Sequence, residues 1–270
     1  VQLDELGIDA ILFVIDRDGK LIGSITDGDI RRSLINNGFN YNHRVEEIIQ
    51  PNPKFITKGE LDINKIIKYR DSYFRIIPIL DVDKKVVSVI NFRKIKSYLP
   101  IDAVIMAGGK GTRLLPLTKT TPKPLLKVGN KPIIEHNIDR LTLFGIDDFW
   151  ISINYLGDQI KNYLGSGKEK NINIDYVNES KPLGTLGAVS KIKNFKHNHV
   201  LITNSDILTN MNYERFFLDF INQNADMSIV TVPYEVGIPY AVLETSDKRV
   251  LSFKEKPTYT YYSNAGIYLV

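Results

Sequence analysis

The 270-residue sequence predicts an α/β protein: a domain with a mostly parallel sheet, preceded by a smaller α+β module. Three observations carry this. From about residue 101 onward, strand-length apolar runs alternate with helical patterns, as expected of a parallel sheet covered by helices on both faces. The first hundred residues instead repeat one strand–turn–strand–helix unit, and repeats of this kind bury a shared face. Between the two textures lies SYLPID (97–102), where Pro100 cannot continue a helix before it. The expected domains are therefore 1–99 and 101–270.

In the first module, FVIDRDGKLIGSITDGDI (13–30) aligns with PILDVDKKVVSVINFRKI (78–95), setting Asp16 on Asp81, Asp18 on Asp83 and Lys20 on Lys85. Each copy reads as an apolar strand, an acidic turn, a second strand, and a short helix opening at a capping residue, Thr26 or Asn91. Between the copies, Leu61, Ile63, Ile66, Ile67 and Tyr69 are spaced as one helical face. In the second part, AVIMA (103–107) is the continuous apolar run of a strand buried on both faces. PIIEHNIDRLTLFG (132–145) opens on proline and closes on glycine, as a helix does. DFWISI, NIDYV, HVLIT and DMSIVTV read as further strands, with Trp150 expected in the core. GDQIKNYLG, TLGAVSKI and NYERFFLDFINQN read as helices. Ligands of such sheets bind beyond the carboxyl ends of the strands.

Composition narrows the function. A hydrophobic fraction of 43% and a charged fraction of 24% are those of an ordinary globular protein. The longest apolar runs are strand-length, too short to span a bilayer, and with no charged stretch and apolar run visible at the start a secretory leader is not expected. With no cysteine there are no disulfides, thiolate chemistry or cysteine–zinc sites; a reducing compartment, the cytoplasm, is expected. The formal net charge of +4 has no long basic run behind it, which argues against nucleic acid and suits one basic loop serving a small polyanion. The chain opens on Val1 and closes on the strand-like NAGIYLV (264–270), so both ends are expected to continue in a longer protein.

The basic loop is MAGGKGTRLLPLTKTTPKPLL (106–126), directly after the first buried strand. It is not the P-loop pattern, and Leu114 stands where a dinucleotide fingerprint needs its last glycine. Gly108, Gly109 and Gly111 let the backbone turn tightly and approach a ligand, and successive amide groups there make an anion-binding concavity. Arg113 adds a fork for two phosphate oxygens. Lys123 sits between Pro122 and Pro124, whose fixed φ leaves its backbone little freedom.

This string resembles the signature of the sugar-1-phosphate nucleotidyltransferases, G-G-x-G-T-R-L-x-P-L-T followed by P-K-P. VNESKPLGTLGA (177–188), ITNSDIL (202–208), FKEKP (253–257) and NAGIY (264–268) resemble the family's later segments, in its order. PLLKVGNKPIIEHNI and PLGTLGA look most like the mannose-1-phosphate guanylyltransferase branch. The resemblance implies a Rossmann-like domain that transfers a nucleotidyl group from a nucleoside triphosphate, GTP in preference to UTP, CTP or dTTP, to a sugar 1-phosphate. It implies nucleotide binding by Ala107, Gly108, Gly109, Gly111, Thr112, Arg113 and Gly184. Catalysis falls to Arg113, Lys123 and Asp206, with Mg²⁺ on Asp206 and sugar-phosphate contacts from Glu179, Thr185, Lys256 and Asn264. Ser205 stands where the family often has glycine, and the family's second magnesium aspartate would lie beyond Val270.

The repeated module resembles a tandem pair of CBS domains, the first incomplete, which implies an adenine-nucleotide ligand and a homo-oligomer. In GSITDGDIRR the family's T-x-x-D falls on Thr26 and Asp29, which admit two readings: a ribose site or a helix capping box. The second copy has Lys94 where the first has Asp29, and lysine cannot accept from a hydroxyl, so one ligand site at most is expected. HNH (197–199) reads as a polar lead-in to a strand rather than a metal site, and Tyr259–Tyr262 either line the sugar site or cover an edge. The competing reading of the whole chain is a nucleotide-sensing regulator with a vestigial transferase fold. Intact Arg113, Lys123 and Asp206 argue against it.

Overall fold

The computed structural model describes residues 7–37, 44–58, 61–179 and 184–270. They fall into two compact units, Val1–Pro100 with Leu143–Gly145, and Ile101–Thr142 with Ile146–Val270.

In the first unit, β1 (Ile11–Ile15) and β2 (Leu21–Thr26) form a hairpin that leads into α1 (Asp27–Asn37), and β3 (Gln50–Pro51) pairs with β2. Then come β4 (Ile56–Thr57), α2 (Ile63–Asp71), β5 (Ile76–Leu80) and β6 (Val86–Asn91), with β4 parallel and β6 antiparallel to β5. The repeat has a local physical cause. Asp16 Oδ1 accepts from the amides of Asp18 and Lys20 at 2.9 and 2.8 Å, and Asp81 Oδ1 accepts from those of Asp83 and Lys85 at 2.9 and 2.9 Å. Each aspartate thus closes its own hairpin turn. The register shifts at the same place in both hairpins, Val14/Ile15 and Ile79/Leu80. Ile56, Ile66, Ile77, Ile79 and Ile90 make the core of this unit.

The two copies part at their ends. Thr26 opens α1 as a capping residue, but the short helix expected at Asn91 is absent; a turn follows β6 instead. Asp29 accepts from the Thr26 amide at 2.8 Å, closing a reciprocal box; Lys94, its counterpart, has no acceptor to offer. Asn91 instead donates its side-chain amide to Asp9 Oδ2 at 2.7 Å.

The second unit is built on a six-stranded sheet. In chain order its elements are β7 (Ile101–Met106), the short β8 (Lys127–Val128) and β9 (Lys131–Pro132), α3 (Ile133–Thr142), β10 (Asp148–Ile153), α4 (Gly157–Leu164), β11 (Asn173–Asn178), α5 (Gly184–Gly187), β12 (His199–Asn204), α6 (Tyr213–Asn222), β13 (Ser228–Gly237), β14 (Val242–Ser246), β15 (Arg249–Lys254) and β16 (Thr258–Leu269). The sheet order is β11-β10-β7-β12-β16-β13, parallel through its first four strands and antiparallel in the last two. β7 is buried along nearly its whole length, as its unbroken apolar run requires. Trp150 packs partly buried against the core cluster of Val104, Val177 and Ile202, edge-on to Phe195. TLGAVSKI is not one helix: α5 ends at Gly187 and a 3₁₀ turn, Val189–Lys191, follows, since glycine at both ends of a four-residue helix gives it little intrinsic support.

A charged network ties α3 to its neighbours. Lys170 Nζ meets Glu135 Oε1 at 2.9 Å and Asp139 Oδ1 at 2.7 Å; Lys131 meets Asp139, and the Tyr163 hydroxyl donates to Glu135 at 2.6 Å. The Tyr163 hydrogen bond, aided by Lys170, holds Glu135 below the usual carboxylate range. Burial pulls Asp139 upward, but Lys131 and Lys170 outweigh it and its pKa is also lowered. Burial likewise pulls Lys170 down, and its two carboxylate partners raise it on balance. Depressed carboxylates contribute stability present above their unfolded-state pKa and lost as pH falls through the folded one. The lysine's share is lost only as pH rises through its raised value. Lys170→Met is therefore expected to cost up to about 1 kcal/mol, the pairs being partly solvent-screened. It should also flatten the acid-side fall of Tm below about pH 5. Thermal melts of both proteins across that range check this; parallel curves would overturn it.

Candidate functional site

Parallel pairing brings four strand ends to one edge. Met106, the last residue of β7, pairs with Ser152 on one side and Asn204 on the other, and Ile153 pairs with Asn178. The residues that follow, Gly108 after β7, Asn154 after β10, Glu179 after β11 and Ser205–Asp206 after β12, emerge side by side, neighbouring strands being about 4.8 Å apart. They line one cavity of about 600 Å³ together with Gly109, Lys110, Gly111, Lys123 and Gly184.

The loop after β7 is shaped by its glycines. Gly111 stands at φ +61°, and a Cβ there would come within 2.9 Å of Thr118 Cγ2 and 3.1 Å of Lys123 Cβ. Thr118, fully buried, donates its hydroxyl to the Gly111 carbonyl at 2.9 Å and closes the loop. Around Gly109 there is open space, with no atom within 4 Å of a Cβ position. Gly108 lies against Asn154 and Glu179, its Cβ position 3.2 Å from Asn154 Cβ and 3.5 Å from Glu179 Oε1.

Lys123, on the 3₁₀ turn Lys123–Leu125, reaches across the cavity and donates to Asp206 Oδ2, although the two are 83 residues apart. Both side chains are about one-third exposed, 36% and 33%, so the pair is open to solvent and to a ligand. Ser152 donates to Glu179 Oε1. Arg113 and Thr112 sit exposed on the 3₁₀ turn directly after Gly111, outside the cavity lining. Ala107 is buried, its amide donating to the Ser152 carbonyl at 2.8 Å. Of the segment 177–188, residues 180–183 lie outside the described residues, as does the side chain of Thr185, which belongs to α5.

The structure does not bring Lys256 or Asn264 into this cavity. Lys256 is exposed after β15, and Asn264 on β16 spends its side chain locally, donating to the Tyr268 hydroxyl at 2.7 Å and accepting from the Gly266 amide at 2.8 Å. Tyr261 and Tyr262 stand exposed on β16 where it pairs with β13, also outside the lining. In the HNH stretch, His197 is held by Asp102, whose Oδ2 accepts the His197 amide at 2.8 Å, while the His199 ring lies edge-on to Phe217 and Phe220. No cluster of three or more acidic, histidine or cysteine side chains suited to a metal occurs among the described residues.

Sequence reasoning missed several residues that the geometry makes prominent. Lys110 and Asn154 line the cavity; reading the position after each strand end would have found Asn154. Asn137 on α3, nearly fully buried, donates to the Ser205 carbonyl at 2.9 Å, and Arg140 donates to the Asn210 and Met211 carbonyls at 2.7 Å each, so α3 braces the loop that carries Asp206. Neither carries a motif that would have singled it out.

Two known families match parts of the chain. The family described as nucleotidyl transferase matches residues 102–270, and the CBS domain family matches residues 2–36. The chain is similar to the D-glycero-alpha-D-manno-heptose 1-phosphate guanylyltransferase of Aneurinibacillus thermoaerophilus, 32% identical over 63% of this chain and 74% of that one. It is 33% identical to the mannose-1-phosphate guanyltransferase of Schizosaccharomyces pombe over 62% of this chain and 49% of that one. It is 34% identical to the mannose-1-phosphate guanylyltransferase of Mycobacterium tuberculosis over 63% of this chain and 48% of that one. The chain thus spans about half the length of the two mannose-1-phosphate relatives.

The two kinds of glycine in the loop are separable by experiment. Gly111→Ala places a side chain at positive φ against Thr118 and Lys123, and is expected to destabilise the protein by about 1–3 kcal/mol. Gly109→Ala meets nothing and should change stability by less than about 0.5 kcal/mol. Denaturant midpoints of the two variants check this, and equal midpoints would show that Gly111 is not conformationally required.

Proposed function

The chain belongs to the nucleotidyl transferase family, and from that premise we propose that it transfers the nucleotidyl group of a nucleoside triphosphate to a sugar 1-phosphate. The observation that carries the reading is the meeting of Lys123, Asp206 and the glycine loop in one cavity at the carboxyl edge of the parallel strands. In the reaction, a phosphate oxygen of the sugar forms a bond to the α-phosphorus. The bond from that phosphorus to the β-phosphate bridge breaks, and its electron pair leaves on pyrophosphate. The attacking oxygen is already an anion, so no side chain need remove a proton. What remains is to hold two polyanions in line and neutralise their charge.

The chain's own residues divide that work. The amides around Gly108, Gly109 and Gly111, flanked by Ala107 and Thr112, cradle the triphosphate, and Gly184 leaves room for it. Lys123 carries positive charge to the reacting phosphate, and exposed Arg113 is free to take the departing pyrophosphate with its two-pronged fork. Glu179 accepts from substrate hydroxyls. Thr185 serves the sugar side; Lys256 and Asn264, outside the cavity lining, would reach the sugar phosphate only by moving toward it, Asn264 by giving up its bonds to Tyr268 and Gly266. Asp206 suits Mg²⁺: it is a single half-open carboxylate that already faces a cation, Lys123, across the cavity, and Mg²⁺ usually takes one or two protein carboxylates with phosphate oxygens completing its shell. When bound, the ion neutralises and aligns those phosphate oxygens.

The named relatives support guanosine triphosphate and a hexose or heptose 1-phosphate as substrates. No helix of the described residues is long and apolar enough to cross a membrane, and a cytoplasmic homo-oligomer is the setting proposed. A regulatory adenine nucleotide at Thr26 and Asp29 would have to displace the four hydrogen bonds that the Asp29 carboxylate accepts from the Thr26 amide and hydroxyl, Arg32 and Gln50.

Pyrophosphate release with GTP, UTP, CTP and dTTP against a panel of sugar 1-phosphates tests the proposal. GTP with a hexose or heptose 1-phosphate is expected to turn over fastest, and Lys123→Ala to lower kcat by about 10²–10³-fold. Release from no pair of substrates, with the protein folded, would favour the regulatory reading. Rates with and without ATP show whether the first unit tunes the reaction.

A further inference from the structure

The first unit holds a second cavity, about 290 Å³, that no motif announces. Its floor is apolar and aromatic: buried Leu80 at the end of β5, Phe55 before β4 and Tyr69 on α2. Three lysines stand around it, Lys54 from the segment before β4, Lys65 from α2 and Lys84 from the β5–β6 turn. Both repeats build it, because the Leu21 amide of β2, another lining residue, donates to the Lys84 carbonyl at 3.0 Å.

Several acids of the unit already hold a basic partner. Asp27 meets Arg31, Asp29 meets Arg32, Asp71 meets Arg70 and Asp9 meets Arg93. Lys54, Lys65 and Lys84 make no ion pair among the described residues, and no carboxylate lines the cavity. Of the turn's two acids, Asp81 has its Oδ1 taken by the amides of Asp83 and Lys85, and neither Asp81 nor Asp83 lines the cavity. Lys65 is held over two ring faces, its Nζ 5.6 Å from the Phe55 centroid and 5.9 Å from that of Tyr69. Aromatic faces attract an ammonium without neutralising it. Three unneutralised cations around one concave floor repel one another, and an anion seated among them removes that repulsion.

The expected ribose site is closed by comparison. Asp29 is 4% exposed and its carboxylate already accepts four hydrogen bonds, whereas the three lysines border open concave space. We infer that the first unit binds a small phosphate-bearing anion in the cavity ringed by Lys54, Lys65 and Lys84. Lysine serves such a ligand as a point charge. The cavity volume, at the low end for ligand sites, suits an oligophosphate group rather than a whole nucleotide buried to its base. That group comes either as free pyrophosphate or as the tail of a nucleotide.

The test is calorimetric titration of the whole chain at low salt with inorganic pyrophosphate and, separately, with ATP. Wild-type protein should bind pyrophosphate at a site that survives Lys123→Met, which disables only the other cavity, and Thr26→Val. The double variant Lys65→Met, Lys84→Met should weaken that site by at least about tenfold, and Lys54→Met alone should weaken it measurably. Lys54 is exposed and its loss does not threaten folding, so it carries the test if the double variant melts early. Tighter binding of ATP than pyrophosphate assigns the site to a nucleotide tail, and the reverse to the free anion; both uphold the inference. Binding unchanged in the lysine variants, or abolished by Thr26→Val, overturns it, and loss in Lys123→Met alone assigns all the pyrophosphate binding to the other cavity.

Discussion

Everything at the candidate site depends on the parallel pairing of β7 with β10 on one side and β12 on the other. A strand whose residues are almost all buried cannot slip by one position without turning every side chain to the opposite face. β7 is such a strand, and its register sets where each neighbour ends. Residues distant in sequence, Gly108, Asn154, Glu179 and Asp206, then lie along one edge with no need for direct bonds between all of them. The glycine loop can stay open at Gly109 because the rigid parts are elsewhere: the strand before it and the Thr118–Gly111 hydrogen bond after it.

The Lys123–Asp206 pair is the electrostatic counterpart of that geometry. Two opposite charges about one-third exposed lower each other's cost without desolvating either group completely. An arrangement of this strength is exchangeable. In the proposed reaction a divalent ion would compete for the carboxylate and a phosphate for the ammonium, so one substrate carrying both would satisfy both partners as it separates them. The bracing from α3 has the same logic, since Asn137 and Arg140 bind backbone carbonyls of the loop rather than Asp206 itself. The loop is held while the carboxylate remains available.

Much of this was legible in the sequence because the signals were local. The apolar run of β7, the proline and glycine bounding the α3 region and the glycine loop each owe their conformation to residues close by. The repeat was legible for the same reason: Asp16 and Asp81 act only on their own turns. Failures came where the outcome depended on something distant or on an element with little intrinsic strength. The helix expected after Asn91 is missing where Lys94 stands in place of the acid that closes the capping box of the first copy. Lys256 and Asn264 were placed by motif order alone. Their positions depend on how the β13–β16 and β14–β15 hairpins lie, and Asn264 finds nearer partners on its own strand. Asn137 was invisible because an asparagine that braces a site looks like any other until the packing of its helix is known.

The formal net charge of +4 says little about where positive charge is available to a ligand. A salt-bridged lysine and an unpaired one count the same in that sum. In this chain Lys131 and Lys170 are spent on Asp139 and Glu135, and Lys196 on Asp148. Lys54, Lys65 and Lys84 have no such partner among the described residues and gather at one cavity, while Lys110 and Lys123 border another. A polyanion senses the local excess within roughly a Debye length, about 8–10 Å, and not the total. The cavity at Lys54, Lys65 and Lys84 carries no carboxylate in its lining, while at the other cavity Lys110 and Lys123 are matched by Glu179 and Asp206, so the two differ in local charge within a molecule whose total is small.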